Sequence, residues 1–192
     1  MASVPVLIID WAGSLAAERE ADLPWLPTTT ATGVDFMLDV RHLDLEEIAT
    51  ALQDQSAYEY RWLIDPASGE IMMWTADGGI DGKTPVDLDE LDLVPIEALP
   101  PSVWHRDMVD FAERVSDEQA GRTLLRAVQG RGAFRRFRDE LHDEYPHLLT
   151  VWHAFHQARA TRRAIDWLLD SSLIDDAAAS RWRIEHPDPD VP

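Results

Sequence analysis

Cysteine and asparagine are absent from the chain, and lysine occurs once, at Lys83. Without thiols the protein can form no disulfide, build no thiolate zinc site and use no cysteine nucleophile. Without asparagine it offers no acceptor for N-glycosylation. Long apolar runs are missing too. The apolar start, Val4 to Ile9, is cut by Asp10, and no basic residue comes before Arg19. This start therefore lacks the charged flank of a secretory signal. No stretch approaches the roughly 20 apolar residues needed to cross a bilayer. These absences lead to the expectation of a cytoplasmic protein with no membrane partner.

Positive charge is scarce and unevenly placed. The net charge is −19 over 192 residues, yet residues 122–163 carry nine arginines against four acids. Residues 1–121 hold six basic groups against 25 acids, and residues 164–192 two against seven. The chain reads as an acidic body with one basic belt. Apolar residues make up 45% of it, enough for a buried core at this length.

The pattern of elements predicts an α+β protein: a small antiparallel sheet with one helix in the N-terminal half, and a helical C-terminal half. Residues 4–11 read as a strand, 22–33 as a loop and Val34–Val40 as a further strand. Asp44 and Glu47 form a capping box, with Leu43 and Ile48 as its hydrophobic staple, so a helix is expected over about 44–54. Tyr58, Tyr60, Trp62 and Ile64 alternate with Glu59 and Arg61, which predicts a half-buried strand. The turn Asp65-Pro66-Ala67-Ser68-Gly69 then leads into a return strand over 70–75. A third strand is expected at Leu93–Ile96.

Leu99-Pro100-Pro101 interrupts any regular element, and helical spacing takes over beyond it. Trp104, Met108, Phe111 and Val115 share one face. Ser116 with Gln119 reads as a second capping box, Gly130 as a helix-ending glycine, and Phe134, Phe137 and Leu141 as the core stripe of the next helix. A long helix is expected around Leu148 to Leu169, and a short one over 176–184. The expected division is an N-terminal α+β part, 1–98, a helical part, 99–185, and a disordered tail, 186–192.

The candidate site is the turn Gly130-Arg131-Gly132 and the helix after it. Arg131, Arg135 and Arg138 lie at i, i+4 and i+7 and so form a ridge beside the apolar stripe, with Arg136 next to it. A glycine turn opening a helix also presents backbone N–H groups to an anion. The opposing expectation is that these arginines pair with Asp139, Glu140 or the acidic body. The two helices around the turn also have the spacing of a helix-turn-helix. Phosphate neutralisation dominates nucleic-acid affinity, and a body of net charge −19 opposes it. No metal or cofactor is expected. Asp77-Gly78-Gly79-Ile80-Asp81-Gly82 has Leu88 where a calcium loop needs glutamate. His147, His153 and His156 lack a zinc pattern and read as solvated helix histidines.

The hairpin Tyr58–Trp74, the proline boundary, the run Gly130-Arg131-Gly132-Ala133-Phe134-Arg135-Arg136-Phe137 and the later Trp152-His153-Ala154-Phe155 occur in one order. Arg162 and the stretch Ala164-Ile165-Asp166-Trp167-Leu168 follow. Over about residues 43–170 this order resembles the bacterial Uncharacterised Protein Family 0158. The resemblance implies one bacterial unit and supplies no catalytic residues.

Two functional expectations follow. The favoured one is an interaction or regulatory module, not an enzyme, whose ridge of Arg131, Arg135 and Arg138, with Gly130, Gly132 and Arg136, docks an acidic protein surface or a second copy of the chain. The alternatives are a hydrolase acting on a phosphate-bearing substrate and a helix-turn-helix-like nucleic-acid binder.

Overall fold

The computed structural model describes residues 37–56 and 60–192. The strand expected at 4–11, the loop at 22–33, residues 34–36 and Tyr58 lie outside them. Residues 37–40 form no strand. Val40–His42 is instead a single 3-10 turn, started by the Asp39 carboxylate accepting from Arg41 N. Leu38 N donates to Leu173 O, 2.8 Å away.

The expected α+β architecture is present. Helix α1, Leu45–Gln53, starts at Asp44, whose carboxylate accepts from Glu47 N as the capping box requires. Strands β1, Arg61–Ile64, β2, Ile71–Trp74, and β3, Val94–Ile96, form an antiparallel sheet in the order β2-β1-β3. Leu63 stands opposite Met72 on one side and Pro95 on the other. Proline has no N–H for a ladder, and here it sits on an edge strand, where that loss is tolerated.

Five helices follow among the described residues: α2, Pro101–Arg114; α3, Glu118–Ala127; α4, Ala133–Asp143; α5, Pro146–Asp170; and α6, Asp176–Glu185. Proline opens both α2 and α5, at the first-turn position where its missing N–H costs no hydrogen bond. Helix α3 is capped by Asp117, not Ser116. The Asp117 carboxylate accepts from Gln119 N and Ala120 N, while Ser116 N donates to Pro192 O. A Cβ at Gly121 would sit 3.0 Å from Ala112 O, so glycine lets α3 press against α2. Gly130 and Gly132 have φ of +72° and +74°, left-handed values that glycine alone adopts without strain. The Gly-Arg-Gly turn needs both.

Two cores stack along α5, whose 25 residues span about 37 Å at the helical rise. The first joins α1, the sheet and α6 to the C-terminal half of α5, around Ile48, Leu52, Ile64, Ile165 and Leu168. The second joins α2, α3 and α4 to its N-terminal half. Its centre is aromatic: the Phe111 ring lies 5.3 Å from Trp152 and 5.6 Å from Phe155, and Phe137 lies 4.9 Å from Trp152. The proline boundary thus marks where strands give way to helices, while α1 and α5 pack together across it.

Two further expectations change in the helical half. Helix α4 buries Ala133, Phe137 and Leu141, and Phe134 is 49% exposed. The small Ala133 side chain lets the helix close on its neighbours and turns Phe134 out to the side. Residues 187–192 form no helix or strand, yet Val191 packs on the second core and Asp188 lies among three arginines. This tail was expected to be disordered.

Candidate functional site

An apolar groove of about 480 Å³ opens where the two cores meet. Its volume suits a large side chain or a small ligand. Helix α2 supplies Trp104 and Met108, α4 supplies Phe134, Phe137 and Arg138, and α5 supplies Leu149, Trp152, His153 and His156. Gln53, the last residue of α1, closes one end.

Its polar wall is built around His156. The imidazole stacks on Trp152, with centroids 5.2 Å apart, and meets Trp104 edge to face at 5.8 Å. Gln53 Nε2 donates to Ala49 O at 3.0 Å, which turns Gln53 Oε1 toward His156 Nε2, 2.9 Å away. That oxygen can only accept, so the hydrogen-bond network assigns the proton to Nε2 and leaves Nδ1 an acceptor. Burial pushes the His156 pKa below its ordinary 6.5. Asp107 opposes the shift, and Arg163 and His153 add to it. His156 is thus half-buried and engaged, unlike the solvated histidine expected, whereas His147 and His153 are exposed.

Behind this wall lies a buried ion pair. Asp107 is 0% exposed, and its carboxylate accepts two hydrogen bonds from Arg163, at 2.8 and 2.5 Å. The same guanidinium lies 5.0 Å from the Trp104 ring centroid. Paired in this bidentate way, the two charges can stay out of water. Together they fix the position of Trp104 on the groove.

The arginines singled out in the sequence divide into two kinds. Arg136 is tied to the turn: its Nε donates to Ala127 O at 3.2 Å, and its other nitrogens donate to Arg131 O and Gln129 O. It holds the carbonyls between α3 and α4. Arg131, Arg135 and Arg138 are exposed. Arg138 lies 3.9 Å from Asp139, and Arg131 and Arg135 form no ion pair among the described residues. The expected pairing is thus present for Arg138, with Asp139, and absent for Arg131 and Arg135 among the described residues. Arg138 and Phe134, one helical turn apart, both line the groove, so the ridge runs up to its rim. Gly130 lies beyond, lining a shallower cleft with His105 and Val128.

Asp107 and Gln53 were not singled out from the sequence, while Trp104 was read only as part of a core face and His156 as a solvated histidine. One local signal exists for them. Trp152, His156, Arg159 and Arg163 lie at i, i+4, i+7 and i+11 of α5, so a polar stripe continues the apolar one and calls for a buried acid. Gln53 stands 103 residues from His156, and no spacing rule connects them.

Elsewhere Asp54 accepts from Tyr60 Oη at 2.5 Å and from Trp62 Nε1 at 2.8 Å. These hydrogen bonds, that of Tyr60 foremost, hold its pKa down at about 2. Asp81, in the glycine loop, turns back on its own chain to accept from Lys83 N and Thr84 N. No group of three His, Asp or Glu converges as a metal site among the described residues.

The sequence pattern of the Uncharacterised protein family (UPF0158) matches residues 35–181. The chain belongs to this family. A UPF0158 protein of Pseudomonas aeruginosa is 30% identical over 134 residues, covering 68% of this chain and 84% of the relative. No solved structure matches. The UPF0158 match spans every element from the 3-10 turn to the first half of α6, and with them the whole groove. No described helix is long and apolar enough to cross a membrane.

Proposed function

We propose that this UPF0158 chain is an interaction module that docks an acidic segment of a partner protein. The segment's carboxylates would pair with Arg131, Arg135 and Arg138, and an apolar side chain between them would enter the groove beside Phe134. One observation carries this reading. Phe134, a large aromatic residue 49% exposed, stands on the groove rim one turn from an exposed arginine. Aromatic and arginine side chains are the groups that dominate protein–protein contacts.

The arrangement supports a protein partner over nucleic acid. Nucleic-acid affinity comes largely from neutralising phosphates, whereas here the arginines border an apolar surface and the chain's net charge is −19. It also supports docking over hydrolysis. A hydrolase needs a carboxylate beside its anion-binding arginines, inside a cleft, and neither Arg131 nor Arg135 lines the groove.

Charge reversal tests the proposal. Arg131→Glu with Arg135→Glu should leave the circular dichroism spectrum unchanged and remove the proteins that wild type retains from a bacterial lysate. Retention that disappears on nuclease treatment would instead favour the helix-turn-helix reading. Retention untouched by the double substitution would take the ridge out of the functional account.

A further inference from the structure

The arginines that converge most closely are not on α4. Arg114 of α2 and Arg159 and Arg162 of α5 surround one carboxylate, that of Asp188 in the tail. Arg159 Nε lies 3.0 Å from it, Arg162 Nη2 3.3 Å and Arg114 Nη1 3.6 Å. Asp110 adds a second acid, 3.5 Å from Arg159. Three cations thus face two anions.

Two features distinguish this cluster from a structural ion pair. The first is fit. One helical turn or less away, Arg163 and Asp107 form two short, directed hydrogen bonds. Around Asp188 the charges are close but badly aimed: Arg159 Nε, Arg162 Nε and Asp188 Oδ1 are all buried without a hydrogen-bond partner. Buried donors and acceptors in native proteins are rarely left so. The Asp188 carboxylate, held between Pro187 and Pro189, does not aim its lone pairs at all three guanidiniums. The second is support. Arg114 and Arg159 both lie against the buried Phe155 ring, 5.3 and 5.1 Å from its centroid. Arg162 donates to His186 O at 3.1 Å. The Phe155 contacts hold Arg114 and Arg159 independently of Asp188, and Arg162 is held at the end of α6, before the tail begins.

We propose that Arg114, Arg159 and Arg162 form a binding seat for a tetrahedral phosphate-type dianion, and that Asp188 is its exchangeable intramolecular occupant. A phosphate group carries nearly two negative charges and acceptor oxygens in several directions, which answers both the surplus charge and the unpaired donors. The seat is open at one side, since the Arg162 side chain is 31% exposed and that of Arg114 44%. Val191 and the Ser116–Pro192 hydrogen bond keep the tail close by. A tethered carboxylate acts at an effective concentration of about millimolar, so it masks the seat against weak anions and yields to a better one.

The test is titration of the full chain with inorganic phosphate, followed by calorimetry against sodium chloride of equal ionic strength. Asp188→Ala should bind phosphate about tenfold more tightly than wild type, because the competing occupant is gone. Arg159→Gln combined with Arg162→Gln should abolish binding in either background. In the wild type, phosphate should speed backbone amide exchange at Asp188, Asp190 and Val191, and at Ser116, whose N–H meets Pro192 O, as the tail leaves. Thermal unfolding without phosphate checks that each variant is folded. Equal affinity in wild type and Asp188→Ala, or binding that survives loss of both arginines, overturns the proposal. So does an Asp188→Ala variant that is destabilised and not restabilised by phosphate, since Asp188 would then be a structural latch.

Discussion

Asp107 and Arg163 set the terms at the scale of single residues. A carboxylate with no exposed surface is tolerated in the core because one guanidinium meets both its oxygens. Removing one partner leaves the other charge buried and unpaired. Asp107→Ala should therefore cost about 3–5 kcal/mol of stability, measured by urea denaturation. A loss below about 1 kcal/mol would mean that water reaches the freed guanidinium. His156 makes a second test. Its folded-state pKa lies below 6.5, so as pH falls the unfolded chain takes up the proton first, and unfolding gains from it. Stability should decline as pH drops through about 6.5 and level off once the folded imidazole is also protonated. His156→Gln should flatten that part of the profile. A profile of the same slope in both proteins would place the proton uptake on other groups.

Among elements, what was legible in the sequence was local. The capping box at Asp44 and the alternation at Tyr60, Trp62 and Ile64 each act within a few residues, and both gave the right element. The α4 stripe failed for a physical reason. Ala133-Phe137-Leu141 and Phe134-Phe137-Leu141 fit a 3.6-residue period equally well, and only the neighbouring helices decide which is buried. The cap of α3 failed similarly: Ser116 and Asp117 both suit the role, and Ser116 N is instead drawn to Pro192 O. The groove itself was out of reach, because Gln53 and His156 meet only through the α1–α5 packing. The corrected stripe has a measurable consequence. Phe137→Ala should destabilise by about 3–5 kcal/mol, as buried aromatic truncations do, and Phe134→Ala by less than about 1.5 kcal/mol. Equal losses in thermal or urea unfolding would return Phe134 to the core.

Across the whole molecule, an acidic chain sets the exposed Arg131 and Arg135, which form no ion pair among the described residues, near an apolar groove. The docking proposal rests on that placement, and proximity labelling tests it most directly. A photo-reactive amino acid would replace Phe134 at the groove rim, and in a second protein Ile184, which is 81% exposed on α6 away from the groove. The account predicts a discrete protein adduct from position 134 in bacterial cells, none from position 184, and loss of the first when Arg131→Glu and Arg135→Glu are added. Equal adducts from both positions, or an adduct at 134 that survives the charge reversal, would contradict it.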